Sequence, residues 1–259
     1  MGIREMFGKH MVNETMKPKD GVIVFLDAFG VSNHSIEDSR DFIRNRDFLV
    51  KSVKDLSARL SSEKNNGNLE VYTFGDNLLL ALEKREIIGP PLVILGRLLR
   101  YMIVKSMERR ILWTGALSIG KYIEHKQSNT LIGPAITDAA AWCEAANWFG
   151  IMSTPSSGLV IKRLFEEMGE SHKLMKDLSE TFIDYEVPLQ GGRTLPVPTI
   201  GWPFELLESG RVTLPEGNTT APLENLYKML SVFSIPSKTE EKYLNTLMFF
   251  NHCQKQMRK

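Results

Sequence analysis

The segments Val22-Ile23-Val24-Phe25-Leu26-Asp27 and Val71-Tyr72-Thr73-Phe74-Gly75-Asp76 each end an apolar, strand-like run in a single carboxylate. Delivered by neighbouring strands, two such carboxylates can hold two divalent cations. Such cations can activate an attacking oxygen and neutralise a departing phosphate. A chain has little physical reason to keep two like charges together in an apolar setting unless something positive binds them.

The rest of the composition narrows the field. Lysine plus arginine (32) nearly balances aspartate plus glutamate (31) across 259 residues, so the net charge of +1 creates no broad field for a nucleic-acid backbone. No nucleic-acid partner is expected. Cys143 and Cys253 are the only cysteines and lack metal-ligand spacing, which suits a reducing cytoplasm rather than a disulfide scaffold. The longest apolar stretches fall short of the roughly 18 residues that read as a membrane span. The N-terminal residues contain no continuous apolar core of a secretory signal, so a cytoplasmic location is expected.

Periodicity places mixed α and β structure along the chain. Gly21 to Asp27 alternates as a strand, and Phe42, Phe48, Leu49, Val53, Leu56 and Leu60 recur at helical spacing within Ser35 to Leu60. Asn65-Asn66-Gly67-Asn68 signals a turn before the second acidic strand. Pro90-Pro91 opens a helix running through Met107, and Ile111 to Ile123 is a strand whose Gly115 and Gly120 suggest close backbone approach or a bend. An alanine-rich helix runs from Pro134 through Trp148, and Ser153 to Ser157 caps the next. A hairpin at Val187 to Ile200 turns at Gly191-Gly192, and helices over Leu223 to Val232 and Thr239 to Gln256 follow. No Gly, Ser or Pro-rich linker divides the chain. The expectation is one α+β domain over 1–259, with a core over about 20–205 and a helical extension over about 206–259.

These residues resemble the class III nucleotidyl cyclases. The likeness lies in Asp27-Ala28-Phe29-Gly30-Val31-Ser32 after the first strand, and in Thr73-Phe74-Gly75-Asp76-Asn77-Leu78 after the second. It continues in Gly115-Ala116-Leu117-Ser118-Ile119-Gly120 and in the Gly133 to Glu144 turn and helix. It covers about the first 155 residues. Tyr72 stands where adenylate and guanylate cyclases commonly carry a base-reading Lys or Glu. In this it is similar to the stand-alone pyrimidine cyclases of the Pycsar anti-phage systems. The segments around Tyr185, Trp202-Pro203 and Lys242 to Thr246 look like the tail of such proteins.

The resemblance implies a ferredoxin-like core with a mainly antiparallel sheet flanked by helices, acting as a homodimer. It implies conversion of a nucleoside triphosphate, UTP or CTP, into the 3′,5′-cyclic monophosphate and pyrophosphate as a second messenger, and with it a role in antiviral defence. Asp27 and Asp76 would bridge two cations, Mg2+ or Mn2+. Ala28, Phe29, Gly30, Tyr72 and Thr130 would contact nucleotide, and Arg193 at the hairpin tip would meet the triphosphate. Arg193 also reads as a solvated turn arginine.

Departures from the family pattern are specific. Thr137 and Ala141 stand where the family places a transition-state Asn and Arg, and Thr114 stands where related stand-alone sequences often have Arg. Losing such an arginine can cost several powers of ten in phosphoryl transfer. Asp138 and Glu144 cannot replace a cation. Either Lys121 or Arg193 supplies the charge, or the chain binds nucleotide and dimerises without turnover. His34 reads as a loop histidine, Trp142, Trp148 and Phe149 as core or dimer contacts, Trp202-Pro203 as an anchor, and Lys255, Arg258 and Lys259 as a solvated end.

Overall fold

Val22, Ile23, Val24 and Leu26 are wholly shielded from solvent, so the strand that carries them needs a partner on each side and a layer on each face. The computed structural model describes residues 16–31, 34–60, 69–84, 86–128, 130–168, 173–209, 222–233 and 239–257. Ser32, the Asn65 to Asn68 turn, Arg258 and Lys259 lie outside the described residues.

Strand β1 (Lys19–Ala28) pairs antiparallel with β3 (Asn77–Glu83) on one side and β4 (Trp113–His125) on the other. The outer neighbour of β3 is β2 (Leu69–Phe74), joined to it as a hairpin. Helix α1 (Ile36–Leu60) links β1 to β2, and α2 (Gly89–Glu108) links β3 to β4. This βαββαβ path, with strand order β2-β3-β1-β4, is the ferredoxin-like split βαβ arrangement. The start of α1 is fixed by a reciprocal capping box: the Asp38 amide donates to Ser35 Oγ at 3.1 Å, while the Ser35 amide donates to the Asp38 carboxylate at 3.2 Å.

The sheet continues beyond β4. Strand β5 (Thr130–Ile132) folds back on β4, and α3 (Pro134–Ala145) crosses to β6 (Gly150–Ser153), which lies parallel to β4. Helices α4 (Pro155–Met168) and α5 (Lys173–Thr181) precede a hairpin of β7 (Phe182–Pro188) and β8 (Thr194–Ile200), and the order ends β4-β6-β8-β7. Helices α6 (Pro203–Ser209), α7 (Pro222–Ser231) and α8 (Glu240–Met257) follow. The expected class, an α+β chain with a mainly antiparallel sheet flanked by helices, is the observed one. Among the described residues no helix is long and apolar enough to cross a membrane.

Alternation along β1 divides the interior. Val22, Val24, Leu26 and Ala28 join the main core with Leu92, Leu95 and Leu99 of α2. Ile23 belongs to a second cluster on the other face, with Tyr72, Leu79, Tyr122 and, from α3, Ala135 and Ala139. Because side chains alternate, Asp27 follows Ile23 and Phe25 onto that second face.

Several elements depart from the periodicity. Helix α3 stops at Ala145 instead of running through Trp148: Ala146 is extended and bridges Leu189, and the Asn147 amide donates to the Pro188 carbonyl at 2.9 Å. Strand β7 begins at Phe182 rather than Val187. The strands β5 and β6 are too short to carry a periodic signature, and α5 and α6 are further elements beyond those expected from the sequence. Trp202 is the anchor its sequence position suggests, fully buried against Phe249 and Phe250 of α8.

The two β4 glycines differ physically. A Cβ at Gly115 would sit 2.3 Å from Leu26 Cδ2 and 2.9 Å from the Phe25 carbonyl oxygen, whereas one at Gly120 would meet only Ala135 Cβ at 3.5 Å. Gly115→Ala is therefore expected to destabilise by about 1–3 kcal/mol, and Gly120→Ala to stay within about 1 kcal/mol of wild type. Urea denaturation of both variants checks the contrast.

Candidate functional site

Register brings the two acids together. Asp27, near the end of β1, has Asn77 as its β3 partner, and Asp76 is the residue before it. A two-residue turn, Gly75-Asp76, closes the β2 hairpin, with Gly75 in the left-handed region at φ 58° as such turns require. The Ala28 amide donates to the Asp76 carbonyl at 3.3 Å, and Asn77 Nδ2 donates to the Asp76 carboxylate at 3.3 Å. Both acids are half-buried. Burial first, and then the charge of Asp76, hold the Asp27 carboxyl above its usual range, against an opposing pull from Lys242.

Two basic residues that sequence reasoning passed over flank the pair. Arg46 of α1 donates from Nη1 to the Gly75 carbonyl at 2.7 Å, pinning the turn that carries Asp76. It lines a cleft of about 510 Å3 with Val31, Ser39, Phe42, Gly75 and Asp76. Lys242 of α8 donates to Thr114 Oγ1 at 3.4 Å, and Thr114 is the β4 partner of Asp27. Burial pushes the Lys242 ammonium below its usual range, while Asp27 and then Cys143 oppose that shift. No motif marks either residue. Arg46 sits mid-helix, and Lys242 lies in the segment that resembles the tail of the stand-alone cyclases, far from Asp27 in sequence, so nothing local ties it to the acids.

The β1–α1 loop is held by its own backbone. The Phe29 amide donates to the Leu112 carbonyl at 2.9 Å, so of the two amides expected to face phosphate, Phe29 is already engaged and Gly30, at φ 81°, is left to do so. Ala28 is 4% exposed and its amide is taken by Asp76. The Phe29 ring packs edge-on against Phe149 and Tyr243, fastening the loop to α8.

Other expected site residues lie elsewhere. Tyr72 is 7% exposed, its ring stacks on Phe74, and its hydroxyl donates to Glu124. Glu124 also accepts from Lys19 at 2.7 Å. Burial would raise the Glu124 carboxyl, but the hydrogen bonds from Lys19 and Tyr72 outweigh it and hold the group low. Burial, followed by that same hydrogen bond, raises the Tyr72 hydroxyl. Thr130 pairs with His125 on the β4–β5 arm and accepts from Ser128 Oγ at 2.8 Å, away from the acids. Arg193 is exposed on the β7–β8 loop, with β4 and β6 between β1 and that hairpin in the sheet order. Lys121 is the partner of Asp20, toward the opposite end of β1. Thr137, Ala141 and Glu144 share the exposed side of α3, while Asp138 accepts from Ser118 Oγ at 2.9 Å as a packing contact. A cleft of about 610 Å3 lined by β7, β8 and α8 residues contains neither acid.

Among the described residues no group of three or more His, Cys, Asp or Glu could hold a metal ion. Two crowded carboxylates fit a hard cation that completes its shell with water and ligand oxygens, as Mg2+ does with phosphates.

No family model and no curated protein matches the chain. Among solved structures it is similar to the adenylyl cyclase CyaB from P. aeruginosa, at 12% identity and a TM-score of 0.45, over 71% of this chain and 94% of that one. It is also similar to a bacterial light-regulated adenylyl cyclase, at 15% identity and a TM-score of 0.37, over 83% of this chain and 58% of that one.

The raised Asp27 carboxyl has a stability consequence of definite sign. Ionising it costs folding free energy, a cost fully present above its folded value and absent below the unfolded value of 3.8. Asp27→Asn is expected to stabilise the chelator-treated protein near pH 7, with the gain shrinking as pH falls toward about 4. Thermal unfolding of both proteins across that window reads it.

Proposed function

We propose that the chain is a metal-dependent nucleotide cyclase that converts UTP or CTP into the 3′,5′-cyclic monophosphate and pyrophosphate. The observation that carries this is the convergence of Asp27, near the end of β1, with Asp76, in the β2–β3 turn beside it, with Asp27 held above its usual range. Two divalent cations bound there would neutralise the triphosphate and favour ionisation of the 3′-hydroxyl. Asp27 and Asp76 would hold them. The Gly30 amide would face the phosphates from the loop, and Arg46 keeps the Asp76 turn in place through the Gly75 carbonyl. The 3′-oxygen attacks the α-phosphorus, the bond to the pyrophosphate oxygen breaks, and the hydroxyl proton passes to solvent.

Preference for a pyrimidine rests on bulk. The Tyr72 hydroxyl is committed to Glu124 and its ring stacks on Phe74, 42% exposed and two residues before Asp76, so Phe74 is taken as the bulk nearest the acids. Thr137 and Ala141 on the exposed side of α3 fit a homodimer in which a second copy faces that helix. Both buried free cysteines suit a cytoplasmic protein. A second reading, nucleotide binding and dimerisation without turnover, is favoured by the same two positions, which bring neither an amide nor a cation.

Incubation with Mn2+ and each of ATP, GTP, CTP and UTP, with products read by mass spectrometry, tests the reading. A cyclic pyrimidine product is expected, falling at least about a hundredfold in Asp27→Ala and in Asp76→Ala. Full activity in both variants overturns the metal-site chemistry, a cyclic purine overturns the base preference, and thermal stabilisation by nucleotide without product selects the second reading.

A further inference from the structure

The clamp that holds α8 to the sheet aims a charge at the acid site. Thr246 accepts from the Phe149 amide at 2.8 Å and donates to the Lys242 carbonyl at 2.7 Å, and Asn245 donates to the Asn147 carbonyl at 2.7 Å. Tyr243, 4% exposed, packs edge-on against Phe149. Residues 243, 245 and 246 are therefore fixed, and the first turn of α8 has no freedom to carry Lys242 elsewhere. The ammonium ends on Thr114 Oγ1, which is itself fixed by donating to the Trp148 carbonyl at 2.9 Å. Cross-strand partners share a face, so Thr114 and Asp27 project together from β4 and β1. Among the described residues no carboxylate is in ion-pair contact with Lys242, and Asp27 is the acid whose charge acts on it.

We infer that Lys242 is a built-in counter-ion of the acid pair, which steadies Asp27 when no metal is bound and competes with the metal for it, so that α8 sets the metal affinity of the site. The inference rests on the reading of Asp27 and Asp76 as metal ligands. Lys242 is here a positioning residue: it acts on the cation through Asp27 and touches no substrate. A lysine needed only for packing would weaken metal binding on removal or leave it unchanged. A competing counter-ion predicts the opposite sign.

The test is Mn2+ binding to the full chain by titration calorimetry, with no nucleotide present. Lys242→Met keeps the aliphatic stem and removes the charge, and is expected to bind Mn2+ about tenfold more tightly than wild type, because a positive charge close to the cation is gone. Lys242→Gln carries the same expectation should the methionine variant not fold. Lys242→Arg keeps the charge and is expected to stay within about twofold of wild type. Wild type that binds Mn2+, with folded neutral variants that bind no more tightly, overturns the inference and leaves the metal site standing. Absence of binding in wild type and in all the variants overturns both.

Discussion

Two carboxylates share one end of a sheet, beyond the largely buried run Val22 to Leu26 of an inner strand, and much of the surrounding structure holds them there. A half-buried carboxylate beside another is held above its normal ionisation range. The surrounding groups relieve that only in part, Lys242 acting on Asp27 without an ion-pair contact. Arg46 grips a carbonyl of the turn rather than the Asp76 carboxylate, Lys242 rests on a threonine beside Asp27, and Asn77 is a neutral donor. The fold thus keeps its acids under-compensated, a condition that favours an added cation over a closed internal ion pair.

The opposite region of the same face is treated differently. There Glu124 is almost fully covered and satisfied by Lys19 and Tyr72, with Lys126 paired to Glu70 nearby. Those charges neutralise one another and tie the β4–β5 arm to β1 and β2. One face of one sheet therefore carries a closed polar network at one end and an open acidic pair at the other, separated by the apolar row of Ile23, Leu79 and Ala81. The closed network satisfies its charges internally, while neither carboxylate of the acid pair is in a salt bridge among the described residues.

Much of this was legible from residue pattern. The acid-terminated strands, the long α1 and α2, and the Gly191-Gly192 hairpin announced themselves through strong periodicity or obligatory glycine geometry, and Gly75-Asp76 lay in the second acidic segment. Short elements were not legible, since Thr130–Ile132 and Gly150–Ser153 are too brief for alternation to register. In the site, Asp27 and Asp76 stood out because a charge ending an apolar run is unusual. Arg46 and Lys242 did not, because each acts at long sequence separation from a helix position that a surface residue could equally occupy. Tyr72 was visible as an unusual residue, but its partner Glu124 was not, since that contact depends on the β4–β5 arm curling over the face. Nor does the sequence show that the Leu112 carbonyl holds the Phe29 amide, because the two meet only once β1 and β4 pair.

The clamp of α8 against Phe29, Phe149 and Asn147 links residues from opposite ends of the chain, and so bears on the order in which the molecule becomes whole. Contacts between distant segments form late because the intervening chain must first be ordered. On a ribosome the ferredoxin-like portion emerges well before residues 239–257, and domains fold in the order of synthesis. The strands that lead to the acids are thus synthesised first, and the β1–α1 loop gains its brace only when α8 has been made. The surroundings of the two acids therefore reach their final form only after a segment far downstream of both has folded.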